Sequence, residues 1–504
     1  MADTKREIER KYESDESGLP DLTGIAGVAD VLDLGVVHLD ATYYDTADER
    51  LAAHAVTLRR RTGGTDAGWH LKLPVGPDVR DEIHAPLSDH VPRALSALTR
   101  SRIRDAALVP VIRLRSARDL RHLVGADGKL LAEVSVDTVT AERLTGDGGT
   151  ARWTEIEAEL AEGVDPRFLD KVDKRLRKAG VRPSAVPSKL ARALAATAPP
   201  DTDGHRAPPP APAEPVTAGD HVLAYVRTQR GAIIELDPAV RRDEFDSVHR
   251  MRVATRRMRS AFRSYGTVLD RTVTDPVGDE LKWLAAELGV DRDREVLTER
   301  ITAALGELPR TLVSGPVRTR LRSWAQARRG GSRRRLTGVL DSERYLTLLG
   351  TLDALVSDPP LLPAAAGKPK KVIAKAVRKD FAKVSALIEQ AIGLPPGHDR
   401  DVALHEARKK SKRTRYAAEA ATPALGDPAA GLTKAMKALQ TLLGDHQDSV
   451  MAREALRELS AEAHAAGENT FTYGVLYGRE EQQAAAVEAE LPGAWQEVRT
   501  PALG

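Results

Sequence analysis

The sequence predicts an α+β chain, with a β-rich N-terminal module followed by an all-helical one. Three observations carry this. Upstream of about residue 195, charged and apolar residues alternate with period two, the mark of antiparallel strands with one apolar face. Downstream the period lengthens to 3.6 in long Ala/Leu/Arg-rich runs. Between the two, prolines at 199, 200, 208, 209, 210, 212 and 215 interrupt a stretch with almost no large apolar side chain, which excludes a helix or a central strand. The expected organisation is a strand module over 1–195, a semi-rigid linker over 196–219 and a helical module over 220–490. A proline-rich break at 358–371 divides that last module into parts of about 220–357 and 370–490.

The 504 residues are 41% apolar, enough for real cores and for more than one domain. No cysteine is present, which removes disulfides, thiolate metal sites and cysteine nucleophiles. Met1 to Arg10 carry no apolar core of a secretory signal, and no run approaches the ~18 apolar residues of a spanning helix. A soluble, cytoplasmic protein without membrane contact is expected. The net charge of +3 divides into −2 over residues 1–200 and +5 over the rest, so overall charge names no partner and local clustering has to.

In the strand module, residues 7–11 place Glu7, Glu9 and Lys11 on one face, and TEIEAEL places Glu155, Glu157 and Glu159 on another. The strands between carry mostly cations at same-face spacing: Arg59 with Arg61, His70 with Lys72, Arg113 with Arg115, and the mixed pair Arg80 and Glu82. An alternating charged face ordinarily meets water. Here carboxylates gather on the first and last strands and cations on the middle ones. If the sheet closes into a barrel with those charges inward, its interior is a polar tunnel. Hard oxygen ligands there suit Mg²⁺ or Mn²⁺, and Arg and Lys suit phosphate oxygens.

EIERK resembles the N-terminal ExExK signature of the CYTH family, the triphosphate tunnel metalloenzymes. YYDT (43–46), LRRR (58–61), WHLKLP (69–74), VRDEI (79–83), RLRSARDL (113–120), EVSVD (133–137), EIEAEL (155–160) and PSKLARAL (187–194) follow in that family's order. His54 departs from it, standing where many relatives carry glycine. The resemblance implies an eight-stranded antiparallel barrel that hydrolyses a triphosphate-type substrate with a divalent metal. It implies Glu7, Glu9, Glu155 and Glu157 as metal ligands, Glu159 as a further candidate, and Glu7, Glu9 and Lys11 as catalytic residues. Lys11, Arg59, Arg61, Lys72, Arg80, Arg113, Arg115 and Lys189 are the implied phosphate contacts. Because the family includes a class of adenylate cyclase, cyclisation of ATP is an alternative.

The helical module is internally duplicated. VHRMRVATRRMRS (248–260) aligns without gaps to LHEARKKSKRTRY (404–416), and 281–296 aligns to 436–451, both about 155 residues apart. His249, Arg252, Arg256, Arg259 and Arg263 step by three and four along one predicted helix, as do His405, Arg408, Lys412 and Arg415 along the other. A charge run is ordinarily a solvated face, but like charges at these spacings repel without intervening acids, and the row occurs in both copies. Residues 310–335 add nine arginines and no acid.

These rows, with the LG…D segments Leu288–Asp293 and Leu443–Asp448, resemble the CHAD domain, a helical module named for its histidines and associated with binding inorganic polyphosphate. His446 departs from the repeat, because the first copy has Asp291 there. The implied partner is inorganic polyphosphate or a triphosphate-containing small molecule, with association with polyphosphate granules as an extension. The scarcity of aromatics disfavours single-stranded nucleic acid and leaves backbone binding of DNA or RNA open. A granule tether with an idle barrel is the alternative to an enzyme.

Overall fold

The computed structural model describes residues 3–14, 18–146, 148–198, 214–289, 292–326 and 332–498, with the side chains of 3, 292–295, 326 and 332 left undescribed. Most of the expected linker lies outside them. The chain divides into two compact units, 1–210 and 211–504. Among the described residues no helix is long and apolar enough to cross a membrane.

The first unit is a closed antiparallel barrel. Its strands are β1 (Asp3–Glu13), β2 (Val28–Asp45), β3 (Thr57–Thr62), β4 (Gly68–Gly76), β5 (Val79–Ala85), β6 (Val109–Gly125), β7 (Leu130–Arg143) and β8 (Thr150–Leu160), in the order β1-β5-β4-β3-β2-β6-β7-β8. β1 makes the closure, because its first half pairs with β5 (Glu7 opposite Arg80) and its second half with β8 (Lys11 opposite Glu157). The alternation is inside out. On β3 to β5, Leu58, Trp69, Leu71 and Ile83 point outward and bury against Leu95, Leu98 and Ile103 of helix α1 (Arg93–Ile103). Ile8 and Tyr12 of β1 likewise meet Phe168, Leu169, Val172 and Leu176 of α2 (Arg167–Lys178). Each such side chain gains about 1.5–3 kcal/mol by leaving water, so the helices stabilise a barrel whose interior is left to charged residues. A third helix, α3 (Lys189–Ala196), packs Leu190, Ala193 and Leu194 on Ala41, Ile112, Leu114, Val139, Ala141 and Trp153.

The second unit holds eleven described α-helices. The first copy contains α4 (Ala218–Arg241), α5 (Ser247–Ser264), α6 (Arg271–Glu287), α7 (Arg292–Gly306), α8 (Val317–Gln326), α9 (Ser332–Leu340) and α10 (Glu343–Ser357). The second contains α11 (Pro369–Gly393), α12 (His398–Leu425), α13 (Asp427–Ala465) and α14 (Phe471–Val498). A box of reciprocal hydrogen bonds between Thr217 and Asp220 starts α4. Met251, Ala254, Met258 and Phe262 anchor α5 in the main core, as the apolar face of its sequence required. The duplication is unequal. The LG segment of the first copy lies past the end of α6 at Glu287, whereas its counterpart around Gly444 lies within α13.

Candidate active site

The inward-facing residues of the barrel surround a cavity of about 600 Å³. Odd positions of β1 supply Lys5, Glu7, Glu9 and Lys11, and β3 supplies Arg59 and Arg61. His70 and Lys72 come from β4, Arg80 and Glu82 from β5, Glu157 and Glu159 from β8, and Lys189 from the start of α3. Eight Lys and Arg side chains line it against seven Asp and Glu. The interior is therefore close to neutral, one positive charge in excess, and almost every group is already in an ion pair.

Lys72 Nζ donates to Glu7 at 2.5 Å and lies 3.7 Å from Glu82. Lys11 pairs with Glu9 at 3.2 Å and with Glu157, while Arg80 lies 3.4 Å from Glu9. Arg59 reaches Glu82 at 3.5 Å. His70 sits with Nδ1 3.0 Å from Glu82, and its Nε2–H donates to the Asp66 carbonyl at 2.9 Å. The two neighbouring carboxylates of β1 respond in opposite ways. Burial pushes Glu7 up to about 7 against the attraction of Lys72, with Glu82 adding to the rise. Burial would raise Glu9 as well, but Lys11, Lys72 and Arg80 outweigh it and hold that carboxylate at about 2. Burial, with Arg59 alongside, brings the Arg61 guanidinium down to about 9. The Nε atoms of Arg59 and Arg61 are buried without a hydrogen-bond partner among the described residues. Two adjacent guanidiniums with donors to spare form a receptor for anionic oxygens.

At the α3 end lies a second knot. Asp137, Glu155 and Glu157 each bring a carboxylate oxygen within 4.8 Å of the others. The Lys189 ammonium binds all three, at 2.9, 2.8 and 2.6 Å. Arg118 forks onto Asp137 at 2.8 and 2.7 Å and reaches Glu157 at 2.8 Å. Burial opposes ionisation of Glu157, but Lys11, Lys189 and Arg118 hold it well below the usual carboxylate range.

The expected tunnel set is thus only partly brought together. Lys11, Arg59, Arg61, Lys72, Arg80 and Lys189 line the cavity, with Glu7, Glu9, Glu157 and Glu159. Glu155 does not; its carboxylate accepts from Trp153 Nε1 at 2.6 Å and is held by Lys189. Arg113 and Arg115 are corrections. Both are more than a third exposed and do not line the cavity; Arg113 forks onto Asp40 at 2.9 and 2.6 Å, and Arg115 lies 3.8 Å from Asp40 and from Glu142. The physical reason is parity. β6 turns Ile112 and Leu114 toward the apolar cluster under α3, so the same face farther along carries Arg118 and Leu120 into the cavity. Arg118, Asp137 and Glu133 are site residues that the sequence reading passed over. Arg118 was legible as the one β6 arginine in phase with Ile112 and Leu114. Opposite the departure at His54, Ala55 takes a left-handed conformation (φ 54°) and the turn into β3 closes without glycine.

In the second unit, α5 and α12 pack against one another, so the two cationic rows lie on neighbouring helices. His249 is exposed, and Arg252, Arg256, Arg259, His405, Arg408, Lys412 and Arg415 are half-buried. Each row touches the LG segment of its own copy. The Arg252 guanidinium lies over Gly289 so closely that a Cβ there would sit 2.5 Å from it, and Arg408 lies 3.7 Å from the same point on Gly444. His405 Nδ1–H donates to Gln447 Oε1 at 2.5 Å, and the Arg415 guanidinium lies over the Tyr416 ring, 4.7 Å from its centroid. Burial, with Arg263 and Arg256 nearby, lowers the pKa of Arg259 against the attraction of Asp279. Asp291, and the side chain of Asp293, lie outside the described residues.

Comparison with known proteins agrees with this division. The CYTH domain family matches residues 5–192, and the CHAD domain family matches residues 224–457. Uncharacterized protein Rv2226 of Mycobacterium tuberculosis (strain H37Rv) is 40% identical, covering 97% of this chain and 95% of its own. The chain is a CYTH–CHAD protein. Among solved structures, PptA from Streptomyces chartreusis is similar at 21% identity, covering 56% of this chain and 99% of its own with a TM-score of 0.47. The CHAD domain from the plant Ricinus communis is similar at 25% identity, covering 56% of this chain and 92% of its own with a TM-score of 0.43. Within the barrel unit, Asp137, Glu155 and Glu157 form an acidic group that could hold a metal ion.

Proposed function

We propose that the barrel hydrolyses a phosphoanhydride bond of a triphosphate or short inorganic polyphosphate with Mg²⁺ or Mn²⁺, and that the helical unit binds longer polyphosphate. The observation that carries this is the closed barrel with eight cations and seven acids turned onto one cavity of about 600 Å³. The donor chemistry fits a hard divalent ion, because Glu7, Glu9, Glu157 and Glu159 offer carboxylate oxygens around the cavity. These residues, with the Asp137–Glu155–Glu157 group whose oxygens lie within 4.8 Å of one another, would hold the ion, which, when bound, would polarise phosphoryl oxygens and lower the pKa of water. A divalent ion raises the positive excess to three charges, which favours entry of a polyanion such as tripolyphosphate.

The chain's own residues do the rest. Arg59 and Arg61 bind the phosphoryl oxygens through guanidiniums whose Nε atoms have no hydrogen-bond partner among the described residues. Lys72, Arg80 and Lys11 neutralise the charge that builds on the bridging and peripheral oxygens, which is where positioned cations lower the barrier most. Release of these lysines from Glu7, Glu9 and Glu157 accompanies loading, so substrate exchanges for internal ion pairs. Arg118 and Lys189 keep the Asp137–Glu155–Glu157 group ionised and fixed at the α3 end. On the helices, two rows of cations on neighbouring helices suit a flexible line of negative charge, bound by counterion release. Cytoplasmic location, with recruitment to polyphosphate granules, belongs to the same reading.

The test is phosphate release by the full chain from tripolyphosphate, long-chain polyphosphate and ATP, with Mg²⁺ and with Mn²⁺. Turnover of the first or second supports the reading. No release from any of them by folded protein that still binds polyphosphate makes the chain a tether, and cyclic AMP from ATP makes it a cyclase.

A further inference from the structure

His446, the departure from the repeat, is almost fully buried in α13. Its Nε2 lies 3.3 Å from Asp401 Oδ1 on α12 and 3.3 Å from Glu488 Oε1 on α14. A neutral imidazole carries one proton at Nε2 and makes a full-strength hydrogen bond to only one of two acceptors. The spacing has another meaning. Ligands about 2.0–2.1 Å from a tetrahedral zinc ion stand about 3.3–3.4 Å from one another. The nitrogen and the two carboxylate oxygens lie within 4.8 Å of each other as a group of three.

The surroundings divide each carboxylate in two. Arg400 binds the other oxygen of Glu488, Oε2, at 3.2 Å, and Arg453 lies 3.4 Å from the other oxygen of Asp401, Oδ2. Each guanidinium thereby orients a carboxylate so that its remaining oxygen faces the imidazole, the role that outer partners play around metal ligands. A cavity of about 530 Å³, lined by Arg400, Asp401, Arg453 and Glu488, opens onto the group and leaves room for a fourth, exogenous ligand.

We propose that Asp401, His446 and Glu488 form a second metal site, selective for Zn²⁺ over Mg²⁺, with water or an anion from the cavity as fourth ligand. Imidazole in the donor set is what separates this site from the all-oxygen barrel, since it favours zinc and is a poor ligand for Mg²⁺. The site ties α12, α13 and α14 together. It lies one turn before His405 on α12 and one residue before its partner Gln447 on α13, so occupancy fixes the segment from which the second cationic row starts. It is confined to the second copy, because the first has Asp291 in place of His446.

The experiment titrates the full chain with Co²⁺ in excess Mg²⁺ and follows visible absorption, where tetrahedral Co²⁺ absorbs far more strongly than octahedral. The expected result is an intense band saturating at one equivalent, abolished by one equivalent of Zn²⁺, and unchanged in Glu7→Gln/Glu9→Gln. His446→Ala and the near-isosteric Asp401→Asn should each weaken Zn²⁺ binding by about 100-fold or more and remove the Zn²⁺-dependent rise in Tm. Asp401→Asn keeps the side-chain shape, so it serves if His446→Ala fails to fold. Identical titrations of the parent and a folded variant, or only the weak octahedral spectrum in the parent, would overturn the site.

Discussion

The barrel and the helical bundle of this chain use the same cations in opposite electrostatic settings. In the barrel the Lys and Arg side chains that line the cavity stand among carboxylates, so that the interior balances to within one charge. On α5 and α12 the cations stand in rows beside one another and half-buried, and burial together with Arg263 and Arg256 lowers the pKa of Arg259 against the attraction of Asp279. A paired, enclosed set favours a compact guest that brings its own cation and is only weakly screened by salt. Rows of like charge favour an extended polyanion whose binding falls steeply as salt rises.

The largest expected effect separates the two regions outright. Glu7→Gln with Glu9→Gln removes two of the cavity's hard ligands and should lower phosphate release by at least ~10³-fold, while long-chain polyphosphate affinity, read by a direct binding assay, stays as it was. Loss of both together would break the division of labour. Next, Arg118→Ala strands Asp137 and Glu157 with less compensation, and urea unfolding should show a loss of about 3–5 kcal/mol. Smaller again, Arg252→Glu with Arg408→Glu should weaken long-chain binding by ~10–100-fold at ~0.1 M salt and flatten the slope of log affinity against log salt by about 2 or more. Hydrolysis of tripolyphosphate should be unaffected.

The smallest is a pH effect. Glu7 is raised from 4.5 to about 7, so its protonated form is favoured in the folded barrel. The stability it contributes is fully present below pH 4.5 and is lost as pH rises through 7, a change of up to ~3 kcal/mol. Glu9, held at about 2, behaves in the reverse sense, and its contribution survives until the pH falls through that value. Urea midpoints of the parent and Glu7→Gln should therefore converge or cross in favour of Glu7→Gln between pH 5 and pH 8.

Where one rule governed a whole strand, the sequence was readable. The odd positions of EIERK and the alternation of WHLKLP fixed which side chains enter the cavity, because the outward residues had to be apolar for α1 and α2 to cover them. The same rule misplaced Arg113 and Arg115, since on β6 the inward face begins apolar under α3 and becomes charged only at Arg118. Composition along one strand does not reveal that change; the position of α3, set by contacts from distant β2, β7 and β8, does. The duplication and both cationic rows were legible from spacing alone. The close seating of Arg252 on Gly289, the end of α6 before Gly289 and the gathering of Asp401 and Glu488 around His446 were not, because each depends on how separate helices pack.

The central claim is that cations turned into the barrel act on phosphate and cations turned out do not. The most direct measurement is phosphate release from tripolyphosphate with Mn²⁺ by Arg59→Ala beside Arg113→Ala, the same residue type on opposite faces of the wall. The expected result is a loss of at least ~100-fold for Arg59→Ala, the scale of one lost transition-state contact, and activity near that of the parent for Arg113→Ala. Equal losses, or a larger loss for Arg113→Ala, would contradict it.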